Sequence, residues 1–219
     1  MPMKILKVIS ELLFPWKCVF CDCVLENADI CSDCEKNLPY TKGDSIYQKF
    51  PFVEKCVTPL YYKDKVRESI HRYKFNGCPA YFVRYGAIMA ECVENNLDCG
   101  GIDVISWIPL SRRRQHRRGY NQSELIAREI ARRVGLPCAA TLKKIKNNKP
   151  QSGTRDAKQR SENVAGAYQV INGADVKGKY ILLVDDVVTT GSTLSEAARM
   201  LKKAGAKAVY CAALARHED

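Results

Sequence analysis

Two adjacent carboxylates, Asp185 and Asp186, end an apolar run, and a glycine set among hydroxyls, Thr189-Thr190-Gly191-Ser192-Thr193, begins four residues after Asp185. Gly191 permits a positive φ and lets a ligand approach the backbone closely. The N–H groups at the start of the helix that follows attract an anion, above all phosphate, and the hydroxyls add donors. The carboxylates would repel that phosphate on contact, so they must bind something else. Vicinal ribose hydroxyls fit, because a carboxylate accepts from each. The pattern therefore reads as a holder of a phosphorylated ribose. Three rival readings are a Walker B strand, a helix capped by Ser192 or Thr193 with no ligand, and a lone magnesium site on the two acids. The first needs a phosphate loop elsewhere. Gly173-Ala-Asp-Val-Lys-Gly178-Lys179 fails as one, because Tyr180 replaces the Ser/Thr and a strand follows.

A second constellation is Cys18-Val-Phe-Cys21 with Cys31-Ser-Asp-Cys34. Two C-x-x-C knuckles supply four thiolates, the donor set of closed tetrahedral zinc, and such an ion folds a segment too small to fold alone. The closed set makes the metal structural. A redox pair or an iron–sulfur cluster are the rivals, and Cys23 competes with Cys21 as ligand. The remaining cysteines, Cys56, Cys78, Cys92, Cys99, Cys138 and Cys211, are scattered among apolar neighbours and read as buried thiols of a reducing compartment.

The third is basic. Five arginines fall between Arg112 and Arg118, directly after a short apolar strand. They repel one another unless an anion lies between them, and guanidinium binds phosphate bidentately. The alternative is a solvated basic turn. The window Arg112–Arg160 holds fifteen Lys/Arg against three acids, so it carries the whole net charge of +11. A localised excess of this kind points to an anionic partner, a polyphosphate or a nucleic acid. Lys143–Arg160, polar and holding Pro150 and Gly153, reads as a flap that closes over a substrate or as an inert surface loop.

These residues need elements to hold them. Strands are expected at Cys56–Tyr62, Asp103–Pro109, Tyr168–Ile171, Tyr180–Asp185 and Ala208–Leu214, and helices at Val66–Tyr73, Tyr81–Asn95, Asn121–Val134 and Ser192–Ala204. The alternation predicts an open parallel sheet covered by helices on both faces, with ligands beyond the carboxyl ends of its strands. Residues 41–55 read as a linker. The chain is thus expected to divide into residues 1–45, an N-terminal helix over about Lys4–Leu13 with the cysteine module, and residues 46–219, the α/β domain. With 46% hydrophobic and 27% charged residues the composition is that of a globular protein. Lys7 and Glu11 interrupt the only signal-like stretch, and no apolar run reaches bilayer length, so membrane insertion is excluded and the protein is expected to be cytoplasmic.

Val184–Thr193 resembles the ribose-phosphate motif of type I phosphoribosyltransferases. Nearly the whole chain resembles the ComF family of competence-associated proteins, in its Cys-rich start, Ile70-His-Arg-Tyr-Lys74, Ile108-Pro-Leu-Ser with the arginines after it, Arg118-Gly-Tyr-Asn-Gln122, Arg160-Ser-Glu-Asn163, Gly166-Ala-Tyr168 and the final motif. The resemblance implies a type I phosphoribosyltransferase-like open, mainly parallel sheet flanked by helices, with a hood and a small N-terminal zinc-binding module. It implies that Asp185 and Asp186, the catalytic candidates, hold ribose, that Thr189–Thr193 fix its 5-phosphate, and that Ser111, Arg112 and Arg113 steady pyrophosphate. Arg117, Arg118 and Tyr120 either touch the ligand or pack the next helix. The implied ligands are phosphoribosyl pyrophosphate with Mg2+, or a nucleotide. Implied partners are single-stranded DNA and a helicase-like translocase of the competence or replication machinery. Two functions stay open: binding in DNA uptake or processing, and Mg-dependent transfer of phosphoribose to a nucleobase or amine by displacement at ribose C1.

Overall fold

The computed structural model describes residues 16–146 and 164–218. The expected helix at Lys4–Leu13 and the 147–160 part of the expected flap lie outside them. In chain order the elements are β1 (Trp16–Lys17), β2 (Val24–Leu25), α1 (Ser32–Asn37), β3 (Tyr47–Gln48), β4 (Lys55–Val57), β5 (Leu60–Tyr61), α2 (Asp64–Phe75), α3 (Phe82–Asn96) and β6 (Val104–Trp107). They continue with α4 (Arg112–Arg118), α5 (Gln122–Val134), β7 (Leu142–Lys144), β8 (Tyr168–Val170), β9 (Tyr180–Val188), α6 (Ser192–Lys203) and β10 (Ala208–Arg216).

β9 and β10 are apolar along most of their length, which suits strands buried on both faces. They pair in parallel from Tyr180–Ala208 to Val188–Arg216 and form the centre of a sheet ordered β3-β4-β10-β9-β6, with β5 also on β10. Only the edge strand β3 is antiparallel. The side chains of β9 alternate between two cores. Leu182 and Val184 pack with α2, α3 and α5, whereas Ile181 and Leu183 pack with α6, β7 and β8. This period of two is the geometry of a pleated strand.

The structure differs from expectation in three places. The supposed linker 41–55 contains a 3-10 turn at Gly43–Ile46 and β3, which joins the sheet edge. β9 runs on to Val188, so both acids lie inside the strand and Asp185 pairs with Ala213. The arginine segment is a short helix, ended by Gly119 in the left-handed region. Among the described residues no helix is long and apolar enough to cross a membrane.

Candidate functional site

The hydroxyl loop turns β9 into α6. Gly191 stands at the N-cap of α6 with φ +71, and no side chain caps the first turn. The first helical bond runs from Ser195 N–H to the Gly191 carbonyl, 2.8 Å, so the N–H groups before it lie outside the helical ladder. The hydroxyls of Thr190 and Ser192 bond each other at 2.8 Å, and that of Thr193 reaches Tyr168. The rival reading, a helix capped by Ser192 or Thr193, does not hold, because the N-cap is Gly191, and the helix start is left able to take an anion. A Cβ at Gly191 would strike the ring of Phe50, so the glycine is required by the protein's own packing as well as by its φ.

The two acids are held differently. Asp185 Oδ1 accepts from Ser123 Oγ at 2.9 Å and from the Asp186 N–H at 2.8 Å. Burial, then the neighbouring Asp186 charge, push its carboxyl up to about 7, against the pull of the Asp186 N–H, Lys74 and Ser123. Asp186 forms an ion pair with Lys74, 2.8 Å, with both side chains largely buried. Lys74 comes from the last turn of α2 and Ser123 from the first turn of α5, which Asn121 caps by accepting from the Ser123 and Glu124 N–H groups. The Asn121 amide also donates to the Ile108 carbonyl at 3.1 Å, which ties α5 to the chain leaving β6.

On the β6 side, Ser111 is buried at the start of α4, while Arg112 and Arg113 are exposed. Arg118 instead turns inward. Its Nη1 donates to Gln122 Oε1 at 2.9 Å and its guanidinium lies 4.9 Å from the centre of the Phe75 ring. Lys144, at the start of the expected flap, is also part of this neighbourhood. Burial and the Arg114 charge lower its pKa, and Asp185 opposes them.

The four cysteines converge. Each of Cys18, Cys21, Cys31 and Cys34 offers a sulfur within 4.8 Å of the others. The Cys21–Cys31 separation of 3.7 Å matches the edge of about 3.8 Å expected when zinc sits about 2.3 Å from each sulfur. Backbone N–H groups of Cys31 and Cys34 point at the sulfurs of Cys18 and Cys31, both 3.4 Å. Burial opposes ionisation of Cys21, yet the Cys23 backbone and the surrounding thiols hold it at about 6, while burial drives Cys34 upward. The quartet therefore fits a metal ion such as zinc, and Cys23 is exposed beside it. The module docks on α2 and α3. Arg72 Nη2 donates to the carbonyls of Val19 (3.1 Å) and Phe20 (2.7 Å), and Arg84 pairs with Asp29.

Comparison with known proteins decides the family. The phosphoribosyl transferase domain family matches residues 121–219. Competence protein F of Haemophilus influenzae is 28% identical over 91% of this chain and 90% of its own length. DNA utilization protein YhgH of Escherichia coli K12 is 30% identical over 77% of this chain and 75% of its own. The chain belongs to the ComF family. Competence protein ComFC of Bacillus subtilis 168 is 28% identical over 66% of this chain and 56% of its own. The ComF chain has a type I phosphoribosyltransferase-like fold, with a mostly parallel sheet flanked by helices and a cysteine cluster able to hold a metal.

In this ComF protein the loop Thr189–Thr193 directly follows β9, whose last four residues begin with the two acids, Asp185 and Asp186. Ser111 lies on the neighbouring strand's exit, and Arg112 and Arg113 point to solvent. The sequence reasoning assigned no role to Lys74, Ser123 or Phe50. Lys74 stood in the quoted Ile70–Lys74 segment, and the run of two positive residues around Tyr73 was the one signal available.

Proposed function

We propose that this protein binds a ribose 5-phosphate ligand, phosphoribosyl pyrophosphate or a nucleotide, and that it works in DNA uptake or processing. One observation carries the reading: an uncapped helix start behind Gly191 lies a few residues from two carboxylates within a central strand, just before its carboxyl end. Thr189–Thr193 would take the 5-phosphate, Asp185 and Asp186 the ribose hydroxyls, and Ser111, Arg112 and Arg113 the pyrophosphate side. Asp186 is already paired with Lys74 and Asp185 already accepts two bonds, so Mg2+ fits as an ion carried in by the polyphosphate rather than one caged by the protein. The quartet of cysteines would hold structural zinc. The names of the relatives, competence protein and DNA utilization protein, support the physiological half of the reading. The basic surface supports single-stranded DNA as a partner, and a helicase-like translocase is the machinery it would serve.

A second reading, transfer of phosphoribose to a nucleobase or amine, is favoured by a cavity of about 600 Å3 lined by Gln48, Phe50, Tyr61 and Arg216. Phe50 is shared between that cavity and the Gly191 loop, so an acceptor lodged there would lie beside the phosphate site.

Calorimetry and thermal melts with phosphoribosyl pyrophosphate plus Mg2+, nucleoside monophosphates and single-stranded DNA test both readings. A ligand at a hundred times its Kd stabilises the fold by about 2.7 kcal/mol, which raises Tm by several degrees. DNA binding should weaken with salt by about 0.7 log units per phosphate contacted per log unit of salt. No response to any ribosyl phosphate would sink the proposal. Pyrophosphate release in the presence of a nucleobase would favour transfer.

A further inference from the structure

Arg118 is half-buried without a carboxylate to neutralise it. Among the described residues it makes no ion pair, and its guanidinium donates to the neutral Gln122 Oε1. Among the described residues its buried Nε has no hydrogen-bond partner, nor has the Gln122 Nε2 beside it. A guanidinium taken out of water in this way is costly unless an anion approaches it. The Asp186 charge reaches Arg118 without forming an ion pair among the described residues, and Lys74 holds the Asp186 Oδ1.

The two cations are fixed with respect to each other. Tyr120, two residues beyond Arg118, donates its hydroxyl to the Tyr73 carbonyl, and the Tyr73 hydroxyl donates to the Gln122 carbonyl at 3.0 Å. These bonds knit the end of α2 to the start of α5, so Lys74 and Arg118 approach Asp186 from two elements on one rigid frame. Phe75, 52% exposed, lies against the Arg118 guanidinium and sets its plane. A planar fork beside a lysine is the donor set that grips a phosphate, the fork bidentately and the ammonium as a point charge. Arg112 and Arg113, exposed on the first turn of α4, are screened by water and salt by comparison.

We propose that Lys74 and Arg118 form the anion subsite for the diphosphate end of the ribosyl ligand, with Lys74 passing from Asp186 to the ligand when it binds. The inference rests on the ribose-phosphate reading above. It assigns the polyphosphate to residues on α2 and the far end of α4, and leaves Arg112 and Arg113 a lesser, outer role. Asp186, released by Lys74, is then free to accept from a ribose hydroxyl.

The test is calorimetry on the full-length, zinc-loaded chain with three probes: phosphoribosyl pyrophosphate, ribose 5-phosphate and inorganic pyrophosphate. Arg118→Gln and Lys74→Gln should each cut the preference for phosphoribosyl pyrophosphate over ribose 5-phosphate by about ten- to a hundredfold, the usual range for a lost charged hydrogen bond. Arg112→Gln with Arg113→Gln should cost less than either. Lys74→Gln leaves Asp186 unpaired, so Lys74→Arg and Arg118→Lys serve as folded companions, and both should retain part of the preference. An unchanged preference in folded Arg118→Gln overturns the subsite while the ribose reading stands. A parent protein that binds neither ribosyl phosphate overturns the ribose reading itself, and the subsite with it.

Discussion

The cysteine module and the acidic corner are both clusters of ionisable groups, but they reach charge balance in opposite ways. In the module four sulfurs crowd within 4.8 Å, contributed by seventeen consecutive residues. Four thiolates at that spacing need a cation from outside the chain. At the acidic corner the chain supplies its own. Lys74 from α2 pairs with Asp186, Ser123 from α5 bonds Asp185, and Arg118 from α4 adds a second positive charge nearby. A cluster of four sulfurs that can hold a metal has one kind of partner to balance it. A cluster balanced by side chains can exchange partners when a ligand arrives.

The largest effect should come from breaking the first half of that comparison. Elemental analysis of protein purified without added zinc should find about one equivalent per chain. Stripping it, or introducing Cys34→Ala, should cost several kcal/mol, since structural zinc contributes folding free energy outright. Val19 and Phe20 sit in the main core with α2 and α3, so the loss should lower the Tm of the whole chain and not of the module alone. Metal-free protein with an unchanged melt would show that the module needs no ion.

A smaller effect tests the phosphate loop. Gly191→Ala must bear a positive φ and strike Phe50. The first costs about 1–2 kcal/mol and the second about 1–3 kcal/mol. Phe50→Ala in the same chain should relieve only the clash. The double variant is therefore expected to melt above Gly191→Ala and below Phe50→Ala. If Gly191→Ala melts with the parent and binds phosphoribosyl pyrophosphate equally well, the loop assignment fails.

The mildest probe is pH, and it reads the acidic corner alone. Asp185 has a pKa raised to about 7, so the folded state holds its proton above the pH at which an unfolded carboxyl loses it. Stability contributed through this group is therefore greatest at low pH and falls as pH rises from about 4 to about 7. Ligand binding runs the other way, because only the carboxylate accepts from two hydroxyls. Affinity for a ribosyl phosphate should rise about tenfold between pH 6 and pH 8, as the ionised fraction does. Asp185→Asn should flatten that profile and weaken binding throughout. A parent profile that is already flat would remove Asp185 from the ribose contact.

Much of this was readable before any coordinate. The paired C-x-x-C knuckles named four sulfurs that do meet, and the apolar run before Asp185 marked a central strand. Gly191 was marked as a residue that permits a positive φ, and it has one. Each of these is a local pattern, in which the residues that act together are neighbours in the chain and the backbone alone carries them to one place. The arginine segment was read as an anion-holding stretch or a solvated basic turn, and neither reading foresaw a helix or the packing of Arg118 against Phe75 and Gln122. The linker reading failed for Tyr47–Gln48 because two residues are too few to show alternation, and only the free edge of β4 makes them a strand.

Residue types and spacing by themselves determined the quartet of sulfurs that meet, the strand that carries the two acids and the loop behind it. Tertiary structure alone decided that Lys74 neutralises Asp186, that Phe50 covers Gly191, and that Arg118 rather than Arg112 turns toward the acids. Lys74 and Asp186 are 112 residues apart. No periodicity or propensity spans such a distance. The pairing exists because α2 packs on the face of the sheet to which Leu182 and Val184 point, and the pleat of β9 carries Asp186 to that same face.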